Sequence, residues 1–186
     1  MNISFRTRPI VIIAVAFTSI SAILIRLSDA PPLAIAAYRM LFAFLMIAPF
    51  ALPRMRRLGG RDLLLAVASG AFLALHFATW ITSVTLTSVA SATVLVSMHP
   101  VIVLVGSVLI LREKPLPGVS GLIVLALAGT VLLSWGDLRS GVGDIGGNLL
   151  ALAGAAAVAG YMLLGSSLRR RVGALQYNAL VYGVAA

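Results

Sequence analysis

Residues 88–114 read SVASATVLVSMHPVIVLVGSVLILREK, an apolar run closed by Arg112, Glu113 and Lys114. As a helix it is long enough to cross the roughly 30 Å hydrocarbon core of a bilayer. His99 and Pro100 stand near its middle. A proline there cannot donate to the carbonyl of Val96, four residues back. In lipid that carbonyl needs a partner from another helix, a side chain or water. The run therefore predicts a proline-kinked membrane helix inside a bundle that holds some polar groups.

The surroundings agree. From Leu63 to Leu111 there are 49 consecutive residues without Asp, Glu, Lys or Arg, room for two spans of about 20 residues and a tight turn. Only 10% of the chain is charged and 61% is hydrophobic, against about a quarter charged in soluble domains. The runs are continuously apolar and lack the alternation of a transmembrane barrel. The expected class is an all-α polytopic membrane protein.

Six spans follow from the pattern: Ile10–Leu27, Leu33–Leu52, Leu63–Thr82, Ser88–Leu111, Val119–Trp135 and Asn148–Leu168. The first is too long for the apolar core of a signal peptide and reads as a retained helix. Asp29, in the turn Ser28–Pro32, is a candidate cap for the second. The turns Ser83–Thr87, Pro115–Gly118 and Gly136–Gly147 separate later spans. A seventh apolar run starts near Ala174 and is still running at Ala186. About 13 helical residues reach only about 20 Å, so a longer protein is expected to contain this one.

The net charge of +9 sits in short arginine clusters between spans, where it sets topology and does not signal nucleic acid. With the N-terminus inside, Arg6, Arg8, Arg54, Arg56, Arg57, Arg61, Arg112, Lys114 and Arg169–Arg171 all lie on the inner side, eleven of the fourteen basic residues. The expected location is the cell (plasma or inner) membrane with a cytoplasmic N-terminus. There are no cysteines, hence no disulfides or thiol chemistry. The five carboxylates, Asp29, Asp62, Glu113, Asp137 and Asp144, lie in loops or at span ends, so no intramembrane acid pair is available for a proton relay. No phosphate loop, HExxH, GxSxG or Cys/His cluster is present. Neither an enzyme nor any cofactor or metal is expected.

Leu33–Leu41 can be laid over Val172–Leu180 at an offset of 139 residues, matching Tyr38 with Tyr177 and Leu41 with Leu180. Five spans precede the second copy, an odd number, so it enters from the opposite side of the membrane. That is the inverted repeat common in secondary transporters.

Five-helix halves, the Ala37-Tyr38-Arg39 opening of the second span, the fourth-span pattern Ala90, Leu95, Pro100, Leu104 and Leu111-Arg112-Glu113, and Gly121–Leu133 in the fifth together resemble the EamA-type branch of the drug/metabolite transporter superfamily. The resemblance implies ten helices in two inverted repeats and transport of small solutes through a central cavity. It places a first repeat at residues 1–136 and the start of a second at 137–186. It also marks Pro100 and Glu113 as structural positions of the pattern.

Few ionisable residues lie inside spans, and each is a candidate by default because insertion of one costs about 2.5–3.5 kcal/mol at a helix centre. Arg39 and the adjacent Tyr38 are candidate substrate-binding residues, Arg39 offering a planar fork of donors for a carboxylate or phosphate. The competing reading is that it snorkels to the headgroups. His76 and Trp80, four apart on one face, can orient an aromatic or zwitterionic solute. Alternatively, Trp80 belongs to the interfacial aromatic belt and His76 bonds a neighbouring helix. His99 can exchange a proton near neutrality or simply be satisfied within the bundle. Ser91, Thr93 and Ser97 read as interhelical hydrogen bonders, and Ala66, Gly70 and Ala74 as a close-packing stripe.

A secondary transporter, exporting or exchanging small metabolites or drug-like solutes by alternating access, is the leading reading. The rivals are a non-transporting half-protein that forms a homodimer or pairs with a second repeat, and a membrane enzyme acting on a lipid-linked substrate.

Overall fold

The computed structural model describes residues 8–55, 58–109 and 119–186, and these form helices joined by short turns with no strand among them. The helices are α1 (Arg8–Arg26), α2 (Pro32–Ala51), α3 (Gly60–Leu86), α4 (Val89–Val96), α5 (His99–Leu109), α6 (Val119–Arg139), α7 (Ile145–Val172) and α8 (Ala174–Ala185), with one 3-10 turn, Leu52–Arg54, after α2. Pro32–Arg54, Gly60–Leu86, Val89–Leu109 and Ile145–Ser166 are each long and apolar enough to cross a membrane. The chain is an all-α, multi-pass membrane protein. Its periphery agrees: Phe17, Met46, Phe50, Leu125 and Leu132 each expose more than 60% of their surface. An outward apolar layer of this kind suits lipid as solvent.

Several boundaries move from their expected places for local reasons. Asp29 does not cap α2. Pro31 holds the N-cap position and Pro32 follows at N1, where a missing N–H costs nothing and the fixed φ favours the helix. The third span runs four residues past Thr82, absorbing most of the expected turn. The hydroxyls there turn back to helix carbonyls: Thr82 to Ala78 at 2.7 Å, Ser83 to Trp80 at 2.7 Å and Thr85 to Thr82 at 2.8 Å. The true turn is Thr87-Ser88. Ser88 caps α4 by accepting the Ser91 N–H at 2.9 Å.

The end of α3 has a second anchor. Arg26, the last residue of α1, donates to the carbonyls of Val84 at 2.8 Å and Thr85 at 2.6 Å. A cation on the last carbonyls of a helix satisfies orphan acceptors and opposes the negative end of the dipole. Arg26→Ala is expected to destabilise the fold by about 1–2 kcal/mol and Arg26→Lys by less. Thermal unfolding in detergent checks the order.

The fourth span is two helices. The ladder stops at Val96 and restarts at His99, with Ser97 and Met98 between. Pro100 is therefore the second residue of α5, where its absent N–H would have lacked a helical partner in any case. The Val96 carbonyl accepts from Nδ1 of His99 at 3.1 Å. The expected kink is a break, and the freed acceptor is met by the neighbouring imidazole. Glu113, with Arg112 and Lys114, lies outside the described residues.

α6 continues to Arg139 and closes through Gly141, whose φ of 71° is open to glycine and strained for other residues. The N–H groups of Val142 and Gly143 return to the Asp137 carbonyl at 3.1 and 2.9 Å. Asp144 then caps α7 by accepting the Gly147 N–H at 2.6 Å.

α3 is the central helix and packs against α7, α8 and α2. One apolar cluster joins Ala22 and Ile25 of α1, Ala36 of α2, Trp80 and Ile81 of α3, and Ala92 of α4. The other joins Met40 of α2, Leu73 of α3, Leu168 of α7, and Tyr177 and Val181 of α8. Glycines set these seams. A Cβ on Gly70 would meet Val184 at 2.6 Å, and one on Gly160 would meet Phe72 at 2.8 Å. The small-residue stripe of α3 is thus a packing surface, as its spacing suggests.

Candidate functional site

α1, α2, α3 and α7 bring three of the expected site residues together in the bundle. Arg39 of α2 is half-buried and turns inward. Its Nη1 donates to Oγ of Ser21 at 2.8 Å. The guanidinium carbon lies 5.0 Å from the Phe77 ring centroid and 5.7 Å from that of Trp80. These are cation–π distances, each contact contributing about 0.5–2 kcal/mol depending on desolvation. The side chain does not snorkel outward.

His76 and Trp80 occupy the same face of α3, their rings stacked at 6.2 Å with planes 2° apart. Phe77 meets His76 edge-on at 4.8 Å. Nδ1 of His76 donates to the Gly154 carbonyl of α7 at 2.9 Å. That bond fixes the tautomer and leaves Nε2 as the acceptor nitrogen. His76 therefore does bond a neighbouring helix, and does so while stacked on Trp80. A Cβ at Gly154 would lie 3.0 Å from Oγ1 of Thr79, so α7 must carry a small residue to approach this closely.

Trp80 is 8% exposed, an interior position that does not suit an aromatic belt. Trp135, 57% exposed with Arg139 5.3 Å from its ring, has the surroundings of a belt residue. Nε1 of Trp80 is buried without a hydrogen-bond partner. A buried N–H left unpaired costs about 1–3 kcal/mol. Among the described residues the one ion pair is Arg171 with Asp62 at 2.9 Å, and it does not involve Arg39.

The other candidates stand apart. Tyr38 is 60% exposed and stacks on Phe42 at 6.2 Å on the outer face of α2. It borders, with Ser21, Ser28 and Arg39, a shallow groove of about 520 Å³ between α1 and α2. His99 turns back on its own backbone. Ser97 likewise bonds the Thr93 carbonyl of its own helix at 2.7 Å. Of the three expected interhelical hydroxyls only Ser91 acts between helices, donating to Oδ2 of Asp137 at 2.8 Å. Ser88 also donates to that oxygen.

Ser21, Phe77 and Gly154 complete the cluster and were not legible as site residues. Ser21 is one of several hydroxyl residues in the first span, and Phe77 is one position from His76, off its face by the helical period. The contribution of Gly154 is a carbonyl, which no side-chain pattern records. A second guanidinium–aromatic cluster also went unseen: Arg169 lies 6.0 and 5.6 Å from the rings of Tyr161 and Tyr177.

A family profile described as the EamA-like transporter family matches residues 9–135, more than half of the chain. No curated protein and no solved structure matches it significantly.

Proposed function

The chain belongs to the EamA-like transporter family, and from that premise we propose that it forms part of a secondary transporter whose solute carries a carboxylate or phosphate. A membrane transporter is what the family indicates, and the observation that supports the solute class is a set of unanswered donors. The Arg39 guanidinium carbon lies 5.7 Å from the Trp80 ring centroid, the indole Nε1 is buried without a partner, and His76 is stacked on the same ring. A guanidinium and an unpaired N–H in a low-dielectric interior favour an anionic group, to which Arg presents a two-pronged fork. The stacked rings of His76 and Trp80 would bear on the solute's flat or apolar body.

In this reading residues 1–136 are the first repeat, and α7 with α8 open a second, inverted one. The N-terminus is cytoplasmic, since eleven of fourteen basic residues then face inward. Solute exchange or export follows from rocking one repeat against the other. Tyr38 and His99 take no part in the proposed cluster, and Tyr38 borders the groove beside it.

The chain has two tryptophans, so a Trp135→Phe variant reports on Trp80 alone. In proteoliposomes, small carboxylate or phosphate solutes that are transported are expected to change Trp80 fluorescence saturably, and matched amides or alcohols to leave it unchanged. Transport of acids with no change at Trp80 would overturn the site. Equal response to acids and amides would overturn the anion reading.

A further inference from the structure

A cleft of about 520 Å³ opens where α2 ends, α3 begins and α7 turns into α8, well away from the Arg39 cluster. Its walls differ in chemistry. Arg54, Asp62, Arg171 and Gln176 supply polar groups, while Met55, Leu58, Val172 and Leu180 are apolar. We propose that this cleft binds the phosphodiester headgroup of an anionic phospholipid from the arginine-rich leaflet, with the start of the lipid chain along the apolar wall.

Charge favours the anion from several directions. Arg54 spends one N–H on the Phe50 carbonyl at 2.8 Å, which leaves the rest of its five-donor fork for a ligand. Arg171 is paired with Asp62 through one nitrogen at 2.9 Å, and its side chain is about half exposed. Asp62, the carboxylate on the wall, is thereby already answered. Two helices also begin at the cleft: α3 after Gly59 and α8 after Gly173, neither with a side-chain cap. Their first-turn N–H groups and positive dipole ends add to the arginines. Against this stands the negative end of α7, whose last turn carries Arg169, Arg170 and Arg171.

A free phosphate would use the basic wall only. The apolar wall, and the position at the ends of membrane-crossing helices, argue for an amphiphile whose phosphate stays at the interface. Basic pockets between helices on the positively charged side are suited to lipid headgroups on these grounds.

The test uses the whole chain in micelles doped with phosphatidylglycerol and phosphatidylcholine. Native mass spectrometry is expected to retain phosphatidylglycerol adducts preferentially. Arg54→Ala with Arg171→Ala is expected to lower their retention about tenfold, and Arg139→Ala, beside Trp135 and outside the cleft, to leave it unchanged. Equal loss in Arg139→Ala would reduce the effect to net charge and overturn the site. A photoreactive phosphatidylglycerol used on the wild-type protein in vesicles tests the same point without any variant. Crosslinks within 54–62 or 171–180 support the proposal, and crosslinks confined elsewhere overturn it. Excess inorganic phosphate is expected not to displace the adducts; displacement would overturn the lipid as the source of the headgroup.

Discussion

Arg39→Ala is expected to cut flux of an acidic solute by about 10–100-fold while leaving membrane insertion intact. The magnitude follows from losing a charge-assisted hydrogen-bonding partner, about 1.5–3 kcal/mol, at about tenfold for each 1.4 kcal/mol. Structural damage is expected to be smaller. The side chain's recorded hydrogen bond is to Ser21 at 2.8 Å, and the rings of Phe77 and Trp80 pack on α1 and α4 through the apolar cluster without it. Arg39→Lys separates charge from geometry. A lysine keeps the positive charge but loses the planar fork and much of the ring stacking, so it is expected to recover only part of the flux. Initial rates in proteoliposomes, normalised to inserted protein, decide the matter. Full activity in Arg39→Ala would remove the guanidinium from the binding site.

Gly165→Ala is expected to be the most damaging single-methyl change in the bundle. A Cβ there would overlap the Tyr177 hydroxyl and sit 2.5 Å from its Cζ. Tyr177 is 0% exposed and stacks on Tyr161 at 5.9 Å, so it has no open direction in which to retreat. Overpacking a dense core costs about 1–3 kcal/mol, and here it falls on the seam that holds α8 to α7. Adding Tyr177→Phe removes the worst overlap and is expected to return part of the loss. Gly129→Ala is the control: nothing lies within 4 Å of its added methyl, and in an exposed helix the change gains about 0.5–1 kcal/mol. Thermal unfolding in detergent should rank the Gly165→Ala variant lowest, the double variant above it and Gly129→Ala at or above wild type.

Much of the architecture was readable from apolar runs and charged stops, because in lipid the period and length of a span are dictated by hydrocarbon thickness and backbone satisfaction. The first, second and sixth spans begin within three residues of their helices. What escaped was governed by contacts between distant residues. Arg26 lies at the edge of the first span, yet it closes a helix through a carbonyl 58 residues away. Ser83 and Thr85 fall in the expected turn and instead prolong α3, since a hydroxyl can bond the carbonyl three positions back. At the candidate site, Arg39, His76 and Trp80 were visible as rare residue types in apolar surroundings. Their grouping was not, because it depends on how α2 and α7 pack around α3. Tyr38 and His99 meet the same criteria, yet packing turns Tyr38 to the surface and His99 onto the carbonyl of Val96.

The interruption between α4 and α5 has a bearing on leakage. A break in a membrane helix that leaves carbonyls bare draws water into the hydrocarbon, and a thread of water can pass protons. At this break the Thr93 and Leu95 carbonyls take the Ser97 N–H, the Leu95 carbonyl also takes that of Met98, and the Val96 carbonyl takes the His99 ring. These acceptors are served by atoms within four residues of themselves. The break therefore leaves none of these carbonyls in need of a water as its donor.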